Sequence, residues 1–464
     1  MDPSGKRSAD VTEIDTYLSE NADRFEEELR ELLRIPSVST ESRFAGDVQR
    51  CAEWMAADME RAGLETVEVI PTDGHPVVYA EHQADVESPT VLIYGHYDVQ
   101  PTDPDDLWTT PPFEPDVREG RLYARGSTDD KGQLHMHLRA LEARLRTGAG
   151  VPANVKLVVE GEEEIGSRHL EGFLKENRRR LACDTVMISD TVMLSPELPA
   201  ITVGLRGLAY AEVTVRGPNR DLHSGQYGGA VQNPANALAA IIAGLKDQYG
   251  RVTIPGFYDP VQEMTGDERA QLREIPLDPA DLQRDLSVPA LVGEAGYSPV
   301  EQLWYRPTLD VNGMISGFTG EGAKTVLPGE ARAKISMRLV PDQVFEEIQE
   351  AFRKHVLALA PEGVTVHVEA HHGAAPWRAD PGGPVFEAAS AALEEAFGHK
   401  PLLICEGGSI PLVPMFERIL GAPAVLIGFG LPGSNLHGPD EWLNLEVYHR
   451  GIGALASMWG RLAG

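Results

Sequence analysis

The apolar run Val91-Leu92-Ile93-Tyr94 delivers Gly95-His96-Tyr97-Asp98, so a buried strand ends in an imidazole with a carboxylate two residues on. An imidazole can bind a divalent cation through one nitrogen while a carboxylate fixes its tautomer through the other. A histidine at a strand end is more often simply hydrogen-bonded, so His96 and Asp98 gain weight only if other segments bring ligands to the same place. Four segments are candidates. Asp129 and Asp130 open a helical pattern set by Leu134, Leu138, Leu141 and Leu145, where an isolated Asp pair would serve as N-capping carboxylates. Glu160-Gly161-Glu162-Glu163-Glu164 follows the branched apolar run 155–159, Asp190 follows 185–189, and His437 stands a short loop beyond 424–429. Ligands in open α/β sheets collect beyond the carboxyl ends of the strands, where these residues fall. His135 and His137 are two apart on a helix and do not share a face, and they are read as structural, as is the pair His371-His372.

His96, Asp129, Glu164, Asp190 and His437 supply three carboxylates and two imidazoles, a set suited to zinc, with manganese or cobalt as alternatives, rather than to calcium or copper. Five ligands exceed what one four-coordinate zinc takes. They suit two divalent metal ions sharing a bridging carboxylate, a site that lowers the pKa of a shared water and polarises a carbonyl. Glu163 is then the candidate general base, although three consecutive glutamates leave the register of base and ligand open from the residues alone.

The motifs Gly95-His96-Tyr97-Asp98-Val99-Gln100-Pro101, Arg125-Gly126-Ser127-Thr128-Asp129-Asp130-Lys131-Gly132, Glu163-Glu164-Ile165-Gly166-Ser167, Ser189-Asp190 and the His437 loop carry a resemblance over nearly the whole chain. Together they resemble the dinuclear metallopeptidase family of cytosolic non-specific dipeptidase, carnosinase, glutamate carboxypeptidase, acetylornithine deacetylase and succinyl-diaminopimelate desuccinylase, most of all its dipeptidase branch. The resemblance implies that Asp129 bridges, that His96 and Asp190 hold one metal, and that Glu164 and His437 hold the other. It makes Glu163 the general base and acid, Asp98 the partner that orients His96, and the Asp129-Asp130 peptide cis. It also implies that His223 reaches the active site of a partner subunit to stabilise the oxyanion, and that Thr325 and Arg338 hold substrate. Arg338 would grip a C-terminal carboxylate as a bidentate fork. Gly408 and Ser409, in Glu406-Gly407-Gly408-Ser409-Ile410-Pro411, would turn backbone N–H groups toward an anion at a helix start.

These side chains need a scaffold. Periodicity predicts helices over 11–33 and 48–62, the latter capped by Gly63, and strands over 66–70, 77–81, 90–94, 155–159, 185–189 and 424–429. The middle third reads as strand 208–215, helix 233–248, strands 309–315 and 331–340, helix 345–359 and strand 364–370. That β-α-β-β-α-β order is ferredoxin-like, with 252–307 as an insertion. The expected fold class is α/β, a doubly wound mixed-sheet catalytic domain over 1–206 and 379–464, interrupted by a ferredoxin-like α+β lid and dimerisation domain over 207–378.

Composition sets the outer limits. A chain of 464 residues needs more than one core, and a hydrophobic share of 42% is ample to fill them. A formal charge of −30 argues against nucleic acid or an anionic membrane as partner. Cys51, Cys183 and Cys405 form no Cys-x-x-Cys pair, which speaks against a disulfide framework or a structural zinc site. No apolar run follows residues 1–7 and none elsewhere approaches membrane-spanning length, so the expected compartment is the cytoplasm. The functional expectation is a homodimeric enzyme hydrolysing dipeptides with a free C-terminal carboxylate. An N-acyl-amino-acid deacylase of the acetylornithine or succinyl-diaminopimelate type is the rival within the same chemistry. A non-catalytic metal-dependent binding protein is the rival of a different class.

Overall fold

The near-continuous apolar runs ending at His96, Glu160, Ile188 and Ile427 are buried on both faces, the pattern of parallel strands sandwiched between helices. The computed structural model describes residues 3–408 and 410–462, with side chains from residue 12 onward apart from that of Asp267. It divides into two compact units, one made of residues 1–203, 379–404 and 415–464 and the other of 204–378 and 405–414.

Seven strands of the main sheet are β1 (Thr66–Ile70), β2 (Val77–His82), β3 (Thr90–His96), β4 (Asn154–Glu160), β5 (Thr185–Ile188), β6 (Ala200–Leu205) and β7 (Ala424–Ile427). Their order across the sheet is β1-β2-β4-β3-β5-β7-β6. The four central strands are parallel, and β1, β2 and β6 run antiparallel to their neighbours. The longest helices of the first unit are α1 (Pro3–Leu33), α2 (Ala45–Ala62), α3 (Lys131–Thr147), α4 (Pro384–Phe397) and α5 (Leu445–Arg461). Gly63 ends α2 in the left-handed region at φ 99°, the conformation a helix C-cap favours glycine for.

Helix α3 is buried from Lys131 to Arg144, polar residues included. Each buried polar group therefore needs a partner, because an unpaired one costs several kcal/mol. Lys131 Nζ donates to the carbonyls of Leu32 (3.3 Å) and Ile35 (2.8 Å), tying down the end of α1. Arg139 pairs with Glu28 and with Asp58 (2.7 Å). His135 Nδ1 lies 2.8 Å from Tyr448 Oη and His137 Nε2 2.7 Å from Ser189 Oγ. Both histidines are thus structural.

The second unit carries a four-stranded antiparallel sheet in the order Thr308–Ser316, Glu330–Leu339, Gly207–Arg216, Thr365–Ala374. Every second residue of Glu330–Leu339 is buried. These residues meet Leu238 and Ile241 of the helix Pro234–Gly244, and Ile348, Phe352 and Val356 of Phe345–Leu359. Asn233 caps the first of these helices by accepting the Ala235 N–H at 2.9 Å. The stretch 252–307 is less separate than an insertion would be. It contributes Val252, Ile254 and Phe257 to the same core, holds three short helices, and closes on a bidentate pair between buried Arg306 and Glu294, 2.8 Å at each contact. Among the described residues no helix is long and apolar enough to cross a membrane.

Burial pushes the His137 imidazole down to about 3. The unfolded chain takes up this proton below about 6.5 while the folded chain refuses it until about 3, so stability falls as pH drops through that window. The slope is up to about 1.4 kcal/mol per pH unit. His137→Gln, which retains a hydrogen-bonding group for Ser189, should flatten the dependence of urea-unfolding free energy on pH between about 6.5 and 4.5 by close to one proton. An unchanged slope would contradict the assignment.

Candidate metal centre

The sheet order explains how distant residues meet. Strand β3 is flanked by β4 on one side and β5 on the other, so the turn after β4 and the residues after β5 arrive on either side of His96, the last residue of β3. Glu163 and Glu164 lie in the single turn Glu163–Ile165, Asp190 lies two residues past β5, and Asp129 lies just before α3. His437 comes from the loop beyond β7 with a left-handed backbone at φ 61°.

Asp129 is the centre of the arrangement and is 9% exposed. Its Oδ1 lies 3.1 Å from His96 Nε2, and its Oδ2 lies 2.9 Å from His437 Nε2. Asp190 Oδ2 stands 3.9 Å from His96 Nε2, and Glu164 Oε2 stands 3.6 Å from His437 Nε2. Two ligand sets result, His96/Asp129/Asp190 and Asp129/Glu164/His437, each with its donor atoms within 4.8 Å of one another. His96 Nε2 is fully buried and lacks the alignment of a hydrogen bond to any neighbour, although its partners are carboxylates. Such an orphaned nitrogen among crowded acids fits a cation, and the mixed imidazole and carboxylate donors fit zinc or a similar ion at each set. The Asp129-Asp130 peptide is cis.

The charges respond to this crowding. Burial, then the nearby Asp129 charge, pushes Glu164 up to about 8, and burial likewise raises Glu163 and Asp190. Burial would also raise Asp129, but its bond to His437 and the facing His96 imidazole outweigh that and hold it below the usual carboxylate range. His437 is raised, chiefly by its bond to Asp129. His96 is raised although burial opposes it, because Asp129 and Asp98 face it.

Asp98 does more than the expected orientation of His96. His96 Nδ1 lies 3.0 Å from the Asp98 backbone carbonyl and 3.4 Å from its carboxylate. A bond to the carbonyl holds the ring with Nε2 facing Asp129. The fully buried Asp98 carboxylate accepts the backbone N–H of Glu163 (3.2 Å) and of Glu164 (3.1 Å). Asp130 occupies the N-cap position but makes no side-chain cap; its carboxylate accepts the His96 N–H at 3.2 Å instead. Two further residues escape sequence reasoning. Gln100 donates to Glu164 Oε2 at 2.6 Å, and buried Glu441 accepts from the Arg125 side chain and from the N–H groups of Gly126, Thr128 and Asp129. Gln100 closes the His96 motif and could have been suspected from its position, whereas nothing local marks Glu441.

The expected substrate residues belong to the second unit. His223 and Thr325 are neighbours there, since the strand Leu222–His223 pairs with Val326–Leu327 and the Ser224 N–H reaches the Thr325 carbonyl at 3.1 Å. His223 is exposed, its Nδ1 accepting the Gly225 N–H at 3.0 Å. Arg338 sits in Glu330–Leu339 opposite Leu208 and Thr308. Arg206 is close by, brought down to about 10 by burial and then by the Arg338 charge, and its Nε donates to the Gly407 carbonyl at 3.1 Å. Gly408 follows directly, while Ser409 lies outside the described residues.

With Glu164 near 8 and both histidines raised, the metal-free centre carries protons at neutral pH that a cation must displace. Apparent zinc affinity should therefore rise as pH increases from about 6 to 8.5, with proton release visible by calorimetry in buffers of different ionisation enthalpy. A pH-independent affinity would contradict this electrostatic reading.

Comparison with known proteins places this geometry. The model for "Peptidase family M20/M25/M40" matches residues 92–461. Cys-Gly metallodipeptidase dug1 of Schizosaccharomyces pombe is 32% identical over 451 residues, covering 94% of each chain. The crystal structure of human carnosine dipeptidase 1 superposes with a TM-score of 0.82 or better, namely 0.83, at 30% identity over 98% of both chains. The M20 family metallo-carboxypeptidase Sso-CP2 of Sulfolobus solfataricus gives 0.82 at 34% identity, covering 95% of this chain and 99% of its own. Since the family match spans most of the sequence and includes all five ligand-bearing segments, the chain belongs to peptidase family M20/M25/M40 and is one of its metallopeptidases.

Proposed function

We propose that this protein is a dipeptidase with a dinuclear, cation-dependent centre, acting on dipeptides that carry a free C-terminal carboxylate. The observation that carries the reading is the pair of ligand sets sharing Asp129, with a half-buried Glu163 beside them whose carboxyl is raised by burial. Relatives across nearly the full length are named Cys-Gly metallodipeptidase and Beta-Ala-His dipeptidase, which supports the substrate class. His96, Asp129 and Asp190 would hold one divalent metal and Asp129, Glu164 and His437 the other, with zinc the first choice for this donor set. When bound, such ions lower the pKa of a water and polarise a carbonyl.

The protein's own groups supply the proton traffic and the grip on substrate. Glu163 takes the proton of the attacking water and returns it to the leaving amine, a role that a carboxyl raised by burial suits. Asp98 keeps Glu163 in place through its backbone N–H. Arg338 pairs with the substrate carboxylate, assisted by Thr325 and by the segment of Gly408 and Ser409. His223 donates to the developing oxyanion of a partner subunit, a contribution of about 3 kcal/mol if it matches oxyanion donors elsewhere. Dimerisation through the second unit is supported by the edge strand Thr308–Ser316, which exposes Val311, Met314 and Ile315, with Phe318 just beyond. An uncovered apolar edge of this kind invites pairing. The three cysteines are free thiols, in keeping with a reducing, cytoplasmic setting.

A panel of dipeptides, their C-terminal amides and N-acyl amino acids, assayed with zinc, manganese or cobalt and with chelator, separates dipeptidase from deacylase. Dipeptides should turn over only with metal, and the amides poorly. Glu163→Gln should lower kcat by about 10³-fold or more while elemental analysis still finds wild-type metal content. Turnover of none of these substrates, or near-normal activity of Glu163→Gln, would refute the reading. Ile315→Glu combined with Met314→Lys should yield a monomer by sedimentation and lose most activity; a fully active monomer would remove His223 from a partner's site.

A further inference from the structure

Glu441 is fully buried and four residues beyond His437, yet none of its contacts is to a ligand side chain. Its Oε2 accepts from Arg125 Nη1 at 2.8 Å and from the Gly126 N–H at 2.9 Å. Its Oε1 accepts from the Thr128 N–H at 2.9 Å and from the Asp129 N–H at 3.1 Å. The backbone around it follows the same path, since the Ala124 N–H reaches the Glu441 carbonyl at 3.1 Å and Thr128 Oγ1 reaches the Trp442 carbonyl at 2.7 Å. The segment 125–129 is therefore wrapped around one carboxylate.

The loop that carries Glu441 is itself held under strain. Asn435, His437 and Asp440 all adopt left-handed backbone conformations, at φ 56°, 61° and 54°, which non-glycine residues keep only when their surroundings impose it. The Trp442 N–H closes the loop on the Ser434 carbonyl at 3.1 Å, and Thr109 holds the Asp440 carboxylate through its N–H (2.9 Å) and Oγ1 (2.7 Å). Gly126 must approach closely as well, at φ 81° and with Val99 Cγ1 only 2.7 Å from where a Cβ would stand.

We propose that Glu441 is a positioning residue that sets Asp129 between the two ligand sets by holding the main chain of 126–129, so that the loop bearing His437 governs both metals. This rests on the two-metal reading above. His437 acts on one set directly, whereas Glu441 acts on both through the shared aspartate, including the His96/Asp190 set that it does not touch. The simpler role would be that of counter-ion to buried Arg125. The amides distinguish the two, because three of the four bonds to Glu441 come from backbone N–H groups that remain when Arg125 is removed.

The test measures zinc stoichiometry by elemental analysis, zinc affinity by chelator competition and metal-free thermal stability for the full chain and four variants. The wild-type protein should bind two zinc ions and His437→Ala about one. Glu441→Gln should lower affinity at both sets by about 10- to 100-fold, the range seen when groups supporting metal ligands are lost. Arg125→Met should keep two zinc ions at affinities within about 3-fold of wild type. The double variant Arg125→Met/Glu441→Gln should stay as weak as Glu441→Gln. Wild-type affinity at either set in Glu441→Gln, or its return in the double variant, overturns the proposal in favour of a counter-ion. Should Glu441→Gln fail to fold, Arg125→Met decides: two zinc ions at near wild-type affinity support the role of the amides, and their loss overturns it. A wild-type chain that takes up no zinc would instead overturn the two-metal reading itself.

Discussion

The structure depends on placing one carboxylate, that of Asp129, so that each of its oxygens faces a different histidine. His96 lies at 3.1 Å from one oxygen and His437 at 2.9 Å from the other, and they come from segments more than 300 residues apart, the second being 308 from Asp129. Glu163, Glu164 and Asp190 crowd the same space, and in the absence of cations burial drives all three toward the protonated form. A cluster of acids in a dry site is costly unless positive charge enters it. The two histidines supply part of that charge, and the donor geometry leaves the remainder to bound ions.

Rigidity around Asp129 comes from the helix behind it. Helix α3 begins two residues later, and its buried Lys131 is fastened to the last carbonyls of α1, its Arg139 to Glu28 and Asp58, and its His137 to Ser189, the residue before Asp190. The last contact is informative, because a histidine with no ligand role still links the platform under Asp129 to the segment that bears another ligand. Burial keeps that imidazole neutral, so it serves as a hydrogen-bonding spacer and adds no charge to an already crowded site.

Much of this was legible in the chain. Strands buried on both faces announce themselves as apolar runs, so the residues at their carboxyl ends could be collected before any geometry was known, and the alternation of 331–340 marked a half-exposed strand with equal clarity. The ferredoxin-like order of the second unit followed from the same periodicities, and family membership from the motifs. What stayed hidden was any role defined by a distant partner. Asp129 and Asp130 are alike in sequence and both stand at a helix start, yet one faces two imidazoles and the other holds the His96 amide. Glu441 meets its partners across more than 300 residues, 316 in the case of Arg125, and no local pattern encodes that. The segment 252–307 looked detachable because the apolar residues it lends to the core, Val252, Ile254 and Phe257, are too few to form a periodic signal.

The triplet Glu162-Glu163-Glu164, alike in sequence, is told apart by its partners. Glu162 is buried away from the ligand sets, where its carboxylate accepts the His75 N–H at 3.2 Å and lies 2.7 Å from His169 Nδ1, so it is committed to bracing the turn. Glu164 points its Oε2 toward His437 and takes a bond from Gln100 on that same oxygen. Glu163 stands between them, outside both ligand sets, with its carboxyl raised by burial while its N–H is held by the same Asp98 carboxylate that holds Glu164. One buried aspartate thereby holds two adjacent glutamates in a single frame, and its backbone carbonyl fixes the ring orientation of His96. Because that frame is built from backbone amides, a side-chain change at Glu163 leaves the bonds that hold the turn of Glu163 and Glu164 intact.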